Sequence, residues 1–276
     1  MSPTRKRLQI LVCGVVVCAF CAMLFVPLQT MYPSKISLTD MLDAPSSAHL
    51  LGTDNLGRDL MTRIQTAIQD AVLPTWAAIL AAHVLGLFLG ALQVSCDSTL
   101  IRRFFFSPIY LLALVVMSVP LGIVVFYSSV AFERASFSAF LMAVTVVMFF
   151  STYIYLVNLY KVNEKLGFWT ASKSLGASTR FQLVHHGIFR NWKDSLLRLL
   201  CFQLKVGVAA EAAVSYLGYA TQEPSPSFGN IIASHFDLLL KGNFFVCIIV
   251  AAVMLFTSLV PRCIIALFLR NKSLGR

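Results

Sequence analysis

Three charged side chains lie within long apolar segments of this sequence: Lys205, Glu211 and Arg262. A charge in a hydrocarbon environment is costly, so such residues usually mark an ion or substrate pathway, or pair with groups on other helices. On an α-helix, a separation of six residues places Lys205 and Glu211 about 120° apart around the axis, so we expect no direct ion pair between them. These residues therefore indicate transport or helix bracing, in which each charge needs another partner or a water-filled path.

The remaining reactive side chains form no catalytic or metal-binding pattern. No Ser-His-Asp set and no carboxylate pair can be assembled from residues predicted to share one side of a membrane. His185 and His186 are adjacent, and neighbouring residues on a helix do not face each other, which argues against a shared metal ion. The segment 167–174, GFWTASKS, departs from a phosphate-binding loop because Ser172 stands where the second glycine belongs. The sequence predicts a chain that is not an enzyme, binds no metal or cofactor, and does not itself hydrolyse ATP.

The elements that must hold these residues are membrane helices. Of 276 residues, 58% are hydrophobic and 12% are charged, and the mean hydropathy is +0.79. A helix of about 20 apolar residues crosses a bilayer and satisfies its own backbone hydrogen bonds, so we predict an all-α, polytopic membrane protein. Six windows are long and poor in charge: 8–28, 71–95, 104–130, 136–160, 196–220 and 244–269.

Basic residues are distributed unevenly between these windows. With the N-terminus placed in the cytosol, sixteen of the 22 Lys and Arg residues fall on the cytosolic side, five fall outside, and Lys205 lies in the membrane. By the positive-inside rule we expect both termini in the cytosol, so the net charge of +10 reflects topology and not nucleic-acid binding. The chain then divides into a cytosolic N-terminus with the first helix (1–28), an extracytoplasmic loop (29–70) and a core domain (71–276).

The extracytoplasmic loop contains the string GTDNLGRD at residues 52–59. Two glycines with turn-forming Asp and Asn residues predict a loop of fixed conformation. The alternative is an ordinary polar loop, in which Asp54, Arg58 and Asp59 form local hydrogen bonds and have no further role.

Residues 161–195 form the only sizeable loop predicted in the cytosol. We expect Asn163 to cap a short helix and Gly176 to end it, because glycine adopts the left-handed conformation at little cost. Thr179 and Gln182 have the spacing of a capping box for a second helix. The prediction for this loop is a helix, a glycine turn and a helix outside the membrane.

Three strings occur in the order typical of one protein family: HLLGTDNLGRDLMTRI (49–64), ASKSLGAS (171–178) and EAAVSYLGYATQEPSPSFGN (211–230). They resemble the permease subunits of bacterial ABC importers for dipeptides, oligopeptides and nickel. The resemblance implies the type I importer permease fold, with six transmembrane helices and a cytosolic coupling helix. It also implies a subunit that forms half of a translocation path for small peptides, with nickel or metal chelates as the alternative solutes.

The string ASKSLGAS falls where this family carries its coupling loop, which docks into a groove on the ATPase subunit. The resemblance implies that Phe168 and Trp169 enter that groove. The alternative is that both rings fold back onto the membrane interface, where aromatic residues are common. The motif positions expected to dock are Ala171, Ser172, Lys173, Leu175, Gly176, Ala177 and Ser178.

The other two strings imply positions without catalytic roles. Glu211 falls on the glutamate of the family's EAS motif, and we expect Glu211 and Lys205 to line the pathway or brace helices. A hydrogen bond from Glu211 to a neighbouring helix is the simpler alternative. The outer-loop positions expected to be structural or to face a partner are Gly52, Thr53, Asp54, Gly57, Arg58, Asp59, Pro224, Pro226, Phe228, Gly229 and Asn230.

The resemblance also implies that the chain lies in the bacterial inner membrane, in contact with lipid. The partners that it implies are a second homologous permease, two ATPase subunits or domains that hold ATP and Mg, and an extracytoplasmic solute-binding protein. Leu114 occupies the position of a family aspartate, and Ile154 and Val157 occupy the positions of a family arginine pair. The chain is therefore identified as a divergent member. A stand-alone ion-coupled carrier, with the three intramembrane charges as its relay, is the alternative of another class. It predicts an inverted internal repeat, which we do not find in the sequence.

Overall fold

A computed structural model describes residues 3–25, 36–96, 98–120, 122–124, 127 and 137–271. Within these ranges the chain is helical, and one isolated bridge between Thr53 and Asp59 is the only strand-type pairing. The helices are α1 (Pro3–Phe25), α2 (Leu60–Ser95), α3 (Thr99–Ser118), α4 (Phe137–Asn163), α5 (Gly167–Ser174), α6 (Lys193–Tyr216), α7 (Phe228–Ser234), α8 (Phe236–Leu240) and α9 (Phe245–Asn271). A π-helical segment, Gln182–Asn191, lies between α5 and α6.

Four helices in the described ranges are long and apolar enough to cross a membrane: Leu60–Ser95, Thr99–Ser118, Phe137–Asn163 and Phe245–Leu267. They confirm the second, third, fourth and sixth predicted windows. The boundaries differ, because α2 already begins at Leu60 and α3 ends at Ser118, two residues before Pro120. Most of the remainder of the third window, 121–130, lies outside the described residues.

The other two predicted windows each contain a helix that is not among these four. In α1 the apolar stretch with described side chains is Leu11–Leu24, and the remaining residues of the window 8–28 lie outside the described side chains. Helix α6 is 24 residues long but carries five charged side chains in the sequence KDSLLRLLCFQLKVGVAAEAAVSY. The count of six membrane helices therefore stays a prediction for these two.

The chain forms two compact units, of which the first combines residues 1–76, 126–140 and 204–276. In this unit α1 packs along α9, and the short helix α7 contacts the start of α2 as well as α9. Its core is built from aromatic and branched aliphatic side chains that include Phe20, Ile64, Val208, Phe228 and Val250. Where these helices lie in a bilayer, lipid is as apolar as the side chains, so close van der Waals packing is the main favourable contribution to this core.

The second unit combines residues 77–125 and 141–203. Here α2 and α4 approach closely at two glycines of α2. A Cβ atom on Gly86 would lie 2.6 Å from the carbonyl oxygen of Phe149, and one on Gly90 would lie 2.9 Å from Cδ2 of Leu156. Small residues at these positions allow the two backbones to pack at short distance, as is common between membrane helices.

Candidate functional site

Four charged side chains of the first unit meet at the start of α2, and we call them the Asp54 cluster: Asp54, Arg58, Arg63 and Glu223. Oδ2 of Asp54 accepts hydrogen bonds from Nε of Arg58 (2.6 Å) and from Nη1 of Arg63 (2.5 Å). Glu223 accepts from Nη1 of Arg58 (2.5 Å) and from Nη2 of Arg63 (2.6 Å). Two positive and two negative groups therefore alternate in a closed, electrically balanced arrangement.

The loop 52–59 holds Asp54 in place through its own backbone. Oδ1 of Asp54 accepts hydrogen bonds from the N–H groups of Leu56 (2.9 Å) and Arg58 (2.8 Å), which closes a turn. Gly57 has a positive φ of 70°, and a Cβ there would lie 1.8 Å from the carbonyl oxygen of Ser37, so glycine is required for two reasons. Asp59 caps α2 by accepting from the N–H of Thr62 at 2.8 Å. The prediction of a fixed loop is confirmed.

Burial and pairing have opposite effects on the ionisation of this cluster. Burial disfavours the charged form of Asp54, but the N–H groups of Arg58 and Leu56 and the two guanidinium groups outweigh it, so the pKa of Asp54 is lowered. Burial also disfavours the charged form of Arg58, but its contacts with Glu223 and Asp54 outweigh this effect and raise its pKa. Asp54 and Arg58 are therefore charged at neutral pH, and the cluster is an ionic network.

Two members of this cluster, Arg63 and Glu223, were not predicted from the sequence. Arg63 is fully buried, and a buried guanidinium without a carboxylate partner is very costly, so its partner had to be sought among few acidic residues. Glu223 is 42% exposed in its side chain and is separated from Arg58 by 165 residues of sequence. Its place in a string already matched to the family was the one signal that could have pointed to it.

The segment 221–235 is fastened to the first unit at several further points. Ser227 and Asn230 form a reciprocal capping box at the start of α7, and Nδ2 of Asn230 donates to the carbonyl oxygen of Ser225 at 2.7 Å. A Cβ on Gly229 would lie 2.0 Å from the carbonyl oxygen of Ala212, so α7 packs directly on the backbone of α6. Phe228 and Pro226 are buried, and Pro224 is exposed. The predicted positions of this string thus act mainly in packing.

Loop 52–59 also contacts this segment directly, since Nδ2 of Asn55 donates to the carbonyl oxygen of Ser234 at 3.0 Å. The side chain of Thr53 is buried, accepts from the N–H of Asp43 at 2.8 Å and donates to the carbonyl of Asp40. Gly52 has a φ of 75°. The alternative of purely local hydrogen bonds is wrong, because Asn55 and Arg58 reach residues more than 150 positions away.

Glu211 braces the end of its own helix. Its Oε1 accepts hydrogen bonds from Oγ of Ser215 (2.6 Å) and Oγ1 of Thr221 (3.0 Å), while Oγ of Ser215 accepts from the N–H of Thr221 (3.0 Å). The contact expected with a neighbouring helix is instead made to the turn that follows α6. Glu211 is buried, and its Oε2 has no hydrogen-bond partner among the described residues.

The three intramembrane charges do not form a relay within the described residues. Lys205 is half-buried and Arg262 is exposed. The ion pairs of the described residues include neither side chain, and the hydrogen bonds of Glu211 go to hydroxyl groups. As predicted, Lys205 and Glu211 do not pair.

Loop 161–195 has the predicted helix, glycine turn and helix, with shifted boundaries. Asn163 is the last residue of α4 and does not cap α5, whose N-cap is Leu166. Gly176 ends the turn after α5 with a φ of 86°, as predicted. Ser178, not Thr179, caps the short helix Thr179–Phe181 by accepting from the N–H of Phe181, because Thr179 is already the first residue of that helix. Gln182 donates instead to the carbonyl oxygen of Trp169 at 3.1 Å.

Trp169 lies in the core of this loop, which corrects the prediction that it enters a partner's groove. Its ring stacks on Trp192 at 5.5 Å with an interplanar angle of 9°, and only 3% of the residue is exposed. Tyr160 contacts it edge-on at 5.7 Å. Trp192, in the same loop, therefore covers the ring of Trp169, which is not available to a partner.

The tip of loop 161–195 presents other side chains. Leu175 is 90% exposed and Phe168 is 44% exposed, although both are large and apolar. Ala171, Lys173, Gly176 and Ser178 are also exposed, and Ser172 and Ala177 are partly buried. The stacked tryptophans therefore support a surface on which Leu175 is the most prominent apolar group.

Known permeases resemble this chain along most of its length. A protein of Escherichia coli K12 named as a probable D,D-dipeptide transport system permease is 27% identical over 250 residues, which cover 88% of this chain and 80% of that protein. A putative peptide transport system permease of Brucella suis is 28% identical over 213 residues, covering 74% and 67%. This chain is a divergent peptide-type ABC transporter permease. It is accordingly a multi-pass inner membrane protein.

Divergence from the family is visible in two further results. A glutathione transport system permease of Pectobacterium atrosepticum is 26% identical to this permease over 199 residues, covering 69% of this chain and 61% of that protein. No protein-family model matches the sequence. The permease is a component of a multi-subunit transport system, so the stand-alone carrier is not supported, and these three relatives are named for peptides or glutathione and not for nickel.

A buried polar network inside the second unit of the permease was not predicted either. Nδ1 of His83 lies 2.9 Å from Oε1 of Gln203 and 3.1 Å from Oγ1 of Thr152, and Nε2 of Gln203 donates to Thr152 (3.0 Å) and to the carbonyl of Met148 (3.2 Å). The network joins α2, α4 and α6. Polar residues within apolar helices could have indicated this network, because such side chains usually form hydrogen bonds to neighbouring helices.

Proposed function

We propose that this permease forms half of the translocation path of an ATP-driven importer for small peptides, together with a second homologous permease. The supporting observation is the similarity to peptide-system permeases, which extends along most of the chain. The chain itself binds no cofactor and hydrolyses no ATP in this proposal. ATP and Mg are held by two ATPase subunits or domains.

Loop 161–195 is the proposed docking site for one ATPase, on the cytosolic side where both termini lie. The exposed leucine at the tip, Leu175, and the partly exposed ring of Phe168 are the apolar groups that a groove on the ATPase would cover. Trp169 and Trp192 act in this proposal as the internal support that keeps α5 rigid, so that movement of the ATPase is transmitted to α5. Closure of the ATPases on ATP would then switch access to the path between the two sides of the membrane.

The Asp54 cluster is the proposed foundation of the surface that receives the extracytoplasmic binding protein. Its ionic network ties loop 52–59 to segment 221–235, and both belong to the strings matched to the family. A receiving surface needs a fixed shape, because ordering of flexible loops on binding costs affinity. In this role Asp54, Arg58 and Arg63 act below the surface, and exposed residues such as Pro224 and Glu223 lie at it.

Transport by the reconstituted system tests this proposal. The complex with its ATPases is placed in vesicles together with the binding protein, and uptake of a labelled dipeptide is measured with ATP and with ADP. We expect ATP-dependent uptake of the dipeptide and none of Ni²⁺. Uptake of Ni²⁺ without peptide uptake would show that the solute is nickel and not a peptide. Uptake that needs no ATPase would contradict the proposal altogether.

A further inference from the structure

An apolar groove of about 590 Å³ lies on the second unit, between the end of α2, the start of α3 and the π-helical segment that follows α5. Its walls are bulky apolar side chains, with one cation among the lining residues. The residues that define it are Phe88, Leu92, Ile101, Phe106, Val184 and Arg180. The groove is open, since Ile101 and Val184 are 47% and 38% exposed.

Two walls of this groove belong to a membrane-spanning helix. Phe88 and Leu92 lie near the end of α2, and they are 62% and 46% exposed. Such side chains near the end of a span lie at the depth where the hydrocarbon meets the headgroups. A water-soluble subunit does not reach this depth, whereas acyl chains are present there at high concentration.

The charges around the groove select the kind of lipid. Arg180 lines the groove, and Arg102 and Arg103 are exposed on the segment that begins α3, directly after the wall residue Ile101. None of these three guanidinium groups has an ion pair with a carboxylate among the described residues. Unpaired basic groups beside an apolar groove complement a molecule that has an anionic headgroup and acyl chains.

We propose that this groove binds one anionic diacyl phospholipid, with an acyl chain along Phe88 and Leu92 and its phosphate at Arg180. The lipid would then contact α2, α3 and the π-helical segment at once. It would fix the segment that follows α5 against the membrane boundary. This inference does not depend on what the permease transports.

Retention of lipid by the purified full-length permease complex tests the proposal. The complex is extracted from its membrane, exchanged into detergent that contains phosphatidylglycerol or phosphatidylcholine at equal concentration, and examined by native mass spectrometry. The variant is Arg180→Gln, and the matched control is Arg190→Gln, because Arg190 is exposed in the π-helical segment that follows Arg180 but does not line the groove. Leu92→Trp, which fills the groove, is the second variant.

We expect one bound phosphatidylglycerol in the wild type and roughly fivefold weaker retention in Arg180→Gln, the usual contribution of one basic residue near an anionic headgroup. Arg190→Gln should match the wild type, and Leu92→Trp should lose the lipid. Equal retention by Arg180→Gln and Arg190→Gln, or equal retention of phosphatidylcholine, would overturn the proposal. So would a lipid that binds only after the ATPases have been stripped away, because a protein partner would then be the normal occupant.

Discussion

The Asp54 cluster and loop 161–195 are stabilised by different means, and the difference indicates what each region does. The cluster consists of charges that are neutralised within the chain by four short hydrogen bonds between Asp54, Glu223 and two arginines. Loop 161–195 is held by a stack of two tryptophans and leaves Leu175 almost fully exposed. In the first arrangement the charges balance within the chain, whereas the second leaves apolar surface for a partner to bury.

Removal of the central carboxylate of the Asp54 cluster should have the largest effect on stability. Asp54→Ala leaves two buried guanidinium groups with one carboxylate between them, and loss of one partner of a buried ion pair typically costs about 3–5 kcal/mol. We expect this loss in the free energy of unfolding of the purified permease in detergent. Asp237→Asn, an exposed change in the same unit, is the control and should stay within about 0.5 kcal/mol.

Loss of the tryptophan stack should have the next largest effect. Trp192→Ala removes the buried ring on which Trp169 rests, and truncation of a buried aromatic residue costs about 3–5 kcal/mol in a well-packed core, with the lower end expected in a surface loop. Limited proteolysis should then cleave within 161–195 while leaving loop 52–59 intact. Trp192→Phe keeps a stacked ring and should protect the loop. If both variants are cleaved at the wild-type rate, the stack does not support this loop.

The brace at Glu211 separates the role of charge from the role of hydrogen bonding. Glu211→Ala leaves the hydroxyl groups of Ser215 and Thr221 without their acceptor, and an unsatisfied buried polar group costs about 1–3 kcal/mol. Glu211→Gln retains an acceptor oxygen and should cost less than Glu211→Ala. Thermal unfolding of the two variants measures this difference. An equal loss in both would show that the negative charge matters, which favours a role in the pathway.

Acidification should affect the first unit in two stages. Burial lowers the pKa of His235 below 6.5, although the carbonyl of Ile231 favours the charged ring, so its neutral form contributes stability above pH 6.5 that is lost as the pH falls through the lower folded-state pKa. The ionised Asp54, whose folded pKa lies below 3.8, contributes stability above pH 3.8 that is lost on further acidification. The thermal midpoint measured from pH 7.5 to 3 should show both stages.

The variant His235→Gln sharpens this test. It should remove the stage that begins near pH 6.5 and leave the stage below pH 3.8. A single acid transition in the wild type that His235→Gln does not alter would mean that the buried imidazole has no part in the pH dependence.

Local features were predictable from the sequence where one residue type determines the backbone. Gly57 and Gly176 occupy left-handed positions, and Asp59 caps α2, so the fixed loop and the glycine turn follow from turn chemistry. The capping residue after Gly176 was displaced by one position, because Ser178 and Thr179 are both good caps. Most of the four membrane spans follow from apolar length alone.

Long-range pairing was not predictable in the same way. The sequence contains several basic residues that could pair with Glu223, and no local pattern predicts its hydrogen bond with Arg63, which is 160 positions away. The resemblance to the family implied that Trp169 enters a partner's groove, and nothing in the sequence indicates that Trp192 covers it within the same loop. Similarity to the family identified which strings matter and left open which side chains meet.

Co-purification tests the central claim that loop 161–195 is incomplete without a partner. The tagged wild-type permease, Leu175→Asp and the control Leu240→Asp are extracted from the native membrane in mild detergent, and the bound proteins are identified by mass spectrometry. Leu240 is an equally large side chain that is 71% exposed outside this loop. We predict that wild type and Leu240→Asp recover a second permease and ATPase subunits. Leu175→Asp should still recover the second permease but no ATPase subunits. Recovery of the wild-type chain alone, or equal recovery of ATPases by both variants, would contradict the account.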